Sequence, residues 1–211
     1  MKKIFFILVS IVLCLGAQAA LTKATPAQSK AMIARINRTA ASIKTISCNF
    51  TQTKKMSFLN DKMVSHGRMY YTSAGRLRWE YTSPYSYIFV INNGRVTMKS
   101  GKKTSQVNIS SSRLFQSIAR IMVNSVTGKS LSSNKDFAVA MYTSGSSYVA
   151  YLTPKTGDMK KMFKSVRLYF NSTGSMVSRV VMIEKNGDST TIDLTNVRTN
   201  GNINASVFSV R

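Results

Sequence analysis

The chain is poor in the residues that most enzyme and metal sites use. Of its 211 residues only seven are acidic, one is a histidine and two are cysteines. The carboxylates are scattered, and no two of them stand at a spacing that suggests an acid–base pair. So few histidines and cysteines cannot supply the usual set of metal ligands, and the sequence contains no glycine-rich phosphate loop and no nucleophile elbow. We therefore expect no catalytic site, no metal and no cofactor.

Cysteine is too scarce for an internal disulfide in residues 20–211, where Cys48 stands alone. The fold must therefore depend on its hydrophobic core. A catalytic thiol would need a histidine partner, but the one histidine, His66, falls on another predicted strand and has no triad-like context. We interpret Cys48 as a small buried side chain near the start of a strand.

Long apolar runs are absent except at the N-terminus. There the basic "MKK", the apolar "IFFILVSIVLCLG" and the small-residue "AQA" have the order of a secretory signal peptide. We predict a signal peptide at residues 1–19, cleaved after Ala19, and not a retained anchor. Leu13 before Cys14 does not fit a lipoprotein signal. No later run approaches the ~20 residues of a membrane helix, so we expect residues 20–211 to form one soluble domain in the periplasm.

Acidic residues are also far outnumbered by basic ones. Thirty Lys and Arg give the chain a formal net charge of +23. Such a charge attracts anionic partners, among them lipid headgroups, lipopolysaccharide and nucleic acid. Secretion argues against nucleic acid. The basic residues are dispersed along the chain, so many of them belong to a solvated outer face and the charge constrains the partners only weakly.

Two segments have the periodicity of amphipathic helices. The first follows Thr25, which suits an N-cap, and Pro26, which suits the first helical position. Its apolar stripe is Ile33, Ile36, Ala40 and Ile43. The second is "SSSRLFQSIARIMVNSVTG", which ends at Gly128. Its stripe is Leu114, Phe115, Ile118, Ile121 and Met122.

The remaining sequence alternates with a period of two, which predicts β-strands. In "GRLRWEYTS" one face carries Leu77, Trp79 and Tyr81, and in "YSYIFVIN" one face carries Tyr87, Phe89 and Ile91. Asn93–Gly94 is a strong hairpin turn, and Thr156–Gly157 is among the other predicted turns. We count about 11–12 antiparallel strands, the last of them in "SVFSV". A sheet of that size must curl, close or split, and the two helices could cover its concave face.

Several stretches in this order resemble the outer-membrane lipoprotein carrier family, the LolA-like proteins. They are "FTQ" (Phe50 to Gln52), Gly67, "RLRWEYTSP" (Arg76 to Pro84), "FVINNG" (Phe89 to Gly94) and "YLTP" (Tyr151 to Pro154). Each motif alone is weak, but their order behind a signal peptide is specific, and the resemblance covers residues 20–211. It implies an incomplete, half-open antiparallel β-barrel covered by helices that enclose a hydrophobic cavity.

The resemblance implies a monomeric periplasmic carrier that binds the acyl chains of lipoproteins in this cavity. Such a carrier receives the lipoprotein from an inner-membrane lipoprotein-releasing ABC transporter. It crosses the periplasm, contacts a membrane surface transiently and releases its cargo to an outer-membrane acceptor or to the outer membrane. The alternative is a periplasmic lipid- or lipoprotein-binding sensor or interaction module on the same fold. The residues that we expect to contact the acyl chains are Leu77, Trp79, Tyr81, Phe89, Ile33, Ile36, Leu114, Ile118 and Met122.

The sequence does not decide two features of this site. Better-known members of the family have a basic residue and a proline shortly before the tryptophan, where the arginine helps to latch the lid. Here Ser73 and Ala74 stand at those positions, so the latch is not carried over. The aromatic face around Trp79 also has the composition of an ordinary core. In a curved sheet with a helical lid, one surface could serve as both core and pocket.

Overall fold

The main element of the fold is one antiparallel sheet. The computed structural model describes residues 20–59, 61–108, 131, 136–174 and 176–210. Within them twelve strands are paired, in agreement with the predicted 11–12, and the sheet is open because β1 and β7 are its two edges. The strands are β1 (Thr22–Lys23), β2 (Thr45–Lys55), β3 (Lys62–Thr72), β4 (Arg76–Ser83), β5 (Tyr87–Asn92), β6 (Arg95–Ser100), β7 (Lys103–Asn108), β8 (Phe137–Ser144), β9 (Ser147–Pro154), β10 (Phe163–Phe170), β11 (Val177–Glu184) and β12 (Ser189–Thr199).

The sheet consists of two meanders that are joined through its first and last long strands. Their spatial order is β1-β8-β9-β10-β11-β12-β2-β3-β4-β5-β6-β7. The junction pairs β12 with β2, so that Leu194 lies opposite Phe50. Because this pairing joins segments from the two ends of the sequence, no local pattern predicts it.

The turn between β5 and β6 has the geometry that its sequence predicts. Asn93 and Gly94 both have positive φ, 48° and 72°, as a two-residue type I′ turn requires. Asn92 and Arg95 are paired on either side of it. This turn sets the register that brings Phe89 opposite Met98.

Helix α1 (Pro26–Ser42) begins where the sequence indicates. The Thr25 hydroxyl accepts a hydrogen bond from the Gln28 N–H (3.3 Å), and the Gln28 side chain accepts one from the Thr25 N–H (2.9 Å), which together form a capping box. The helix contacts β8. Its buried face is Met32, Ile36 and Ala40, whereas Ile33 is only half-buried, so the apolar stripe is rotated slightly from the predicted one.

Two short segments have a structure that their sequence does not predict. Thr156–Gly157 lies in the connection between the antiparallel strands β9 and β10, as predicted, but Gly157 also begins the short helix α2 (Gly157–Met162). The segment "SVFSV" does not form a strand. Ala205–Phe208 is a 3₁₀ helix that contacts β4 and β5. The predicted helix in residues 110–128 lies outside the described residues.

The 3₁₀ helix is held on the outer face of the sheet by side chains of β4 and β5. Arg78 Nη1 donates to the backbone carbonyls of Val207 (3.2 Å) and Ser209 (3.4 Å), and Asn92 Nδ2 donates to that of Phe208 (3.3 Å). Phe208 is buried. Phe208 is therefore buried without joining a strand ladder, which is why the alternating pattern of "SVFSV" is misleading.

The core lies on the other face of the sheet, which we call the inner face. Adjacent strands align apolar side chains across it in rows, one of which runs from Cys48 on β2 through Met69, Trp79 and Phe89 to Met98 on β6. The same core cluster includes side chains of α1 and of β8 to β12. A single sheet of this size curls around its apolar side. The described residues thus form the predicted open antiparallel sheet, with the apolar core on its inner face.

Candidate functional site

A cluster of aromatic rings lies on the inner face at the centre of the sheet. The rings of Phe50 and Trp79 are stacked with centroids 4.3 Å apart, and Tyr81 meets the edge of Phe50 at 5.2 Å. Gly67 pairs with Phe50 across β2 and β3, and a Cβ at this position would lie 2.3 Å from Phe50 Cζ. The cluster therefore depends on a glycine that leaves room for the Phe50 ring.

Tyr81 forms the polar end of this aromatic cluster. Its hydroxyl donates a hydrogen bond to Gln52 Oε1 at 2.9 Å. Burial raises the pKa of Tyr81, so the hydroxyl is neutral and serves as a donor at physiological pH. Gln52 also lines a cavity on the same face of the sheet. The packed aromatic cluster therefore borders this cavity at the Gln52–Tyr81 hydrogen bond.

The inner face opens into a cavity of about 760 Å³ where β2, β11 and β12 meet the start of β10. This volume lies within the range of small-molecule sites, roughly 300–1,000 Å³. The lining combines apolar side chains of α2, β10 and β11 with polar and charged groups at the rim. It comprises Gln52, Lys54, Lys161, Met162, Phe163, Met182, Glu184, Lys185, Asn186 and Thr190.

Backbone and carboxylate hydrogen bonds hold the rim of the cavity together. Ser57, which follows β2, donates its N–H to Asp188 Oδ1 (2.8 Å) and its hydroxyl to the Asn186 carbonyl (3.1 Å). On the other side, the Lys185 N–H donates to the Met162 carbonyl (3.1 Å). The β2–β3 hairpin, the β11–β12 turn and α2 are thereby fixed to one another at the same end of the sheet.

The charged groups of the rim are partly neutralised within it. Lys54 Nζ lies 3.3 Å from Glu184 Oε1 and 3.8 Å from Asp188 Oδ2. The hydrogen bond from the Ser57 N–H, with smaller contributions from other neighbours, holds the pKa of Asp188 below its ordinary value. Lys161 and Lys185 are exposed, so the two exposed charges of the lining are both basic.

The structure brings together the six predicted acyl-contact residues that it describes, but as packed core. Leu77, Trp79, Phe89 and Ile36 are buried in one cluster, against which Tyr81 and Ile33 pack partly exposed. None of the six lines the described cavity. Their contact with acyl chains therefore stays a prediction. The other three predicted residues, Leu114, Ile118 and Met122, lie outside the described residues.

The apolar residues that line the cavity were missed by the sequence interpretation. Met162 and Phe163 stand at the junction of α2 and β10, and Met182 lies among several apolar residues of β11. Alternation with Val180 indicates that Met182 faces inward. It does not indicate that the space in front of it is open.

The thiol and the imidazole cannot act together, because they lie on opposite faces of the sheet. Cys48 is on the inner face, where burial raises its pKa to about 12. His66 is exposed, and its Nδ1 is hydrogen-bonded to Thr51 Oγ1 at 3.2 Å. Among the described residues, no cluster of three or more His, Cys, Asp and Glu side chains could hold a metal ion, and no described helix is long and apolar enough to cross a membrane.

Comparisons with known proteins agree with this architecture. The sequence model of the family described as "Outer membrane lipoprotein carrier protein LolA" matches residues 41–211. No match is found among curated proteins.

Solved structures resemble the chain in fold, at low sequence identity. An uncharacterized conserved protein from Thermus thermophilus is 9% identical, with 87% of this chain and 94% of that chain covered and a TM-score of 0.53. MucB is 12% identical, with 88% of this chain and 63% of that chain covered and a TM-score of 0.50. A LolA superfamily protein from Nitrosomonas europaea is 8% identical, with 86% and 97% covered and a TM-score of 0.46.

Proposed function

The chain belongs to the LolA family of outer membrane lipoprotein carrier proteins, and on that premise we propose that it carries lipoproteins through the periplasm. In this proposal it shields the acyl chains of a lipoprotein in the hydrophobic interior of the half-open barrel. It receives the lipoprotein from an inner-membrane ABC transporter and releases it to an acceptor at the outer membrane or to that membrane itself. The role requires binding and release but no bond chemistry.

The observation that carries the proposal is the cavity at the open end of the inner face. Its apolar lining consists of Met162, Phe163 and Met182, and methionine adapts readily to ligands of irregular shape. Keeping an acyl chain in water costs about 0.8 kcal/mol for each exposed CH₂, or on the order of 12 kcal/mol for a chain of roughly sixteen carbons. A cavity that offers apolar surface without closing completely can reduce this cost and still allow release.

The predicted acyl-contact residues belong in this proposal to the deeper part of the same inner face. Leu77, Trp79 and Phe89 are already buried against protein, so an acyl chain that enters at the cavity can reach them only if a covering element moves away. The Gln52–Tyr81 hydrogen bond lies between the cavity and this buried cluster. In this arrangement the core of the empty carrier is the binding surface of the loaded one.

A pair of substitutions on neighbouring residues of β11 tests the role of the cavity. Met182 lines it, whereas the next residue, Ile183, points to the outer face and is also half-buried. We expect Met182→Glu to weaken the capture of a purified acylated lipoprotein by at least about ten-fold, because a carboxylate would have to be buried against hydrocarbon. Ile183→Glu is the matched control and should leave capture within about two-fold of the wild type. Equal capture by both variants would argue against acyl binding at this cavity.

Depletion of the protein in its host tests the carrier role as a whole. Lipoproteins destined for the outer membrane should then accumulate in the inner-membrane fraction. Normal sorting after depletion would overturn the proposal. Capture of a lipoprotein that is never transferred to acceptor membranes would favour the sensor or interaction module instead.

A further inference from the structure

The hairpin between β2 and β3 exposes an unusual amount of apolar surface at its tip. Phe58 is 75% exposed, Leu59 47%, Met63 49% and Val64 37%. They are four of the six large hydrophobic side chains that are exposed in the described residues, and they fall within seven positions of the sequence. We call these four residues the apolar tip. Scattered exposed hydrophobic residues need no explanation, but a cluster of them marks a site of interaction.

Lysines surround the apolar tip. Lys55 ends β2 three residues before Phe58, and Lys62 begins β3 directly before Met63, so both lysines lie in the same hairpin as the tip. Lys185 is in the β11–β12 turn, and Lys160 and Lys161 are in α2, all of them exposed. The acidic groups of the β11–β12 junction, Glu184 and Asp188, are engaged with Lys54. Two further carboxylates at this end, Asp61 in the hairpin and Asp158 in α2, are exposed. The five exposed lysines outnumber these two acids, so the outermost charges are mainly positive.

The apolar tip and the mouth of the cavity lie at the same end of the sheet. Ser57, next to Phe58 in the sequence, is hydrogen-bonded to Asp188 and to the carbonyl of Asn186. Asn186 and its neighbour Lys185 line the cavity. On β3, Met63 pairs with Lys54, which is another residue of the cavity lining. A surface that contacts the apolar tip therefore also faces the mouth of the cavity.

We infer that the apolar tip docks the protein onto an anionic lipid bilayer. Phe58 and Leu59 insert among the lipids at the level of the headgroups, and the surrounding lysines contact the lipid phosphates. Protein–protein interfaces are depleted in lysine, whereas a combination of Phe and Leu with many lysines is typical of segments that lie in the membrane interface. The inference rests on the proposed function for its purpose, since docking would bring the cavity to the membrane where an acyl chain enters or leaves.

Vesicle co-sedimentation with protein recovered from the periplasm tests this inference. The wild type should bind vesicles of phosphatidylglycerol and phosphatidylethanolamine and should bind pure phosphatidylcholine vesicles at least about ten-fold more weakly. Binding to the anionic vesicles should also fall as salt is raised from about 0.05 M to about 0.5 M, since salt screens the lysine–phosphate attraction. The double variant Phe58→Ser/Leu59→Ser should lose a further ten-fold or more, because each inserted side chain contributes the transfer of a large apolar group.

The matched control is Leu21→Ser. Leu21 is 44% exposed, close to the 47% of Leu59, but it precedes Thr22, which pairs with Thr143 at the opposite end of β8 from α2. This variant should bind vesicles like the wild type. The inference is overturned if the wild type binds neither kind of vesicle, or if the double variant binds the anionic vesicles as tightly as the wild type does.

Lipoprotein capture by the cavity and membrane docking by the apolar tip can be refuted independently of each other. The variant Phe58→Ser/Leu59→Ser should still capture a lipoprotein in solution, and Met182→Glu should still bind anionic vesicles. Loss of vesicle binding in the first variant with intact capture supports the docking surface. Loss of vesicle binding in Met182→Glu would show that lipid uptake by the cavity, and not the apolar tip, holds the protein on the vesicle, and it would overturn the inference.

Discussion

Replacement of Gly67 by alanine tests how tightly the aromatic cluster is built. Gly67 is on β3, opposite Phe50. A Cβ at this position would lie 2.1 Å from the Glu80 carbonyl oxygen and 2.3 Å from Phe50 Cζ, far inside van der Waals contact. The φ angle of Gly67 is not in the positive range. The glycine is therefore required for space and not for an unusual backbone conformation.

The cost of this substitution follows from how little its neighbours can move. Glu80 belongs to β4, which is paired with both β3 and β5, so its carbonyl cannot shift without disturbing the ladder. Phe50 is 1% exposed and stacked on Trp79. Overpacking of a core typically costs about 1–3 kcal/mol, and two confined neighbours favour the upper end, about 3 kcal/mol. For a chain of this length that corresponds to a decrease in Tm of roughly 6–12 °C.

Thermal unfolding followed by tryptophan fluorescence measures this effect. Trp79 is the only tryptophan of the chain and lies within the aromatic cluster, so its emission reports directly on the packing in question. Gly157→Ala is the control, since a Cβ at Gly157 would meet nothing within 4 Å; its Tm should stay within about 2 °C of the wild type. A Tm of Gly67→Ala equally close to the wild type would refute the reasoning, because it would mean that the ring and the strand can move apart at little cost.

Two further predictions concern titrating groups near the inner face. Burial raises the pKa of Cys48 to about 12, whereas the thiol pKa in the unfolded chain is about 8.5. At pH 8 the folded protein should therefore react with a thiol reagent far more slowly than the urea-unfolded protein does. Equal reaction rates would contradict the burial of Cys48. The pKa of the Asp188 carboxyl is lowered in the folded protein, chiefly by the hydrogen bond from the Ser57 N–H. The ionised carboxylate therefore stabilises the fold at pH values above the unfolded-state pKa of about 3.9, and this stabilisation is lost as the pH falls through the lower folded-state pKa. Asp188→Asn should therefore lower the urea midpoint at pH 7, and its difference from the wild type should shrink below about pH 4. A difference that persists unchanged at pH 3 would show that charge is not the cause.

The elements that local rules govern were predictable from the sequence. Thr25 and Pro26 marked the beginning of α1 because capping depends on residues within one helical turn. Asn93–Gly94 predicted the β5–β6 turn because only a few residue types adopt positive φ readily. The alternation in β4 and β5 predicted the shared face of Trp79 and Phe89, and the two residues are indeed paired across these strands.

The errors arose where a local pattern was compatible with more than one environment. "SVFSV" alternates like a strand, but Phe208 is buried on the outer face of β4 and β5 while Arg78 and Asn92 bind the neighbouring carbonyls. Gly157 has the composition of a turn and yet begins α2. In each case a contact with a residue distant in sequence decided between conformations that the local sequence allows.

For the candidate site, too, some features follow from the sequence and others only from the tertiary structure. The amino-acid sequence by itself determined which side chains are apolar, which of them share a face of a strand and, through the ordered motifs from Phe50 to Pro154, the family to which the chain belongs. Only the tertiary structure decided that Trp79 and Leu77 are enclosed by protein while Met182 and Phe163 border open space. It also decided that Phe58 and Leu59 lie beside that opening. The physical reason is that hydrophobicity and alternation determine the direction of a side chain from its own strand, whereas enclosure depends on which distant segments pack against that strand.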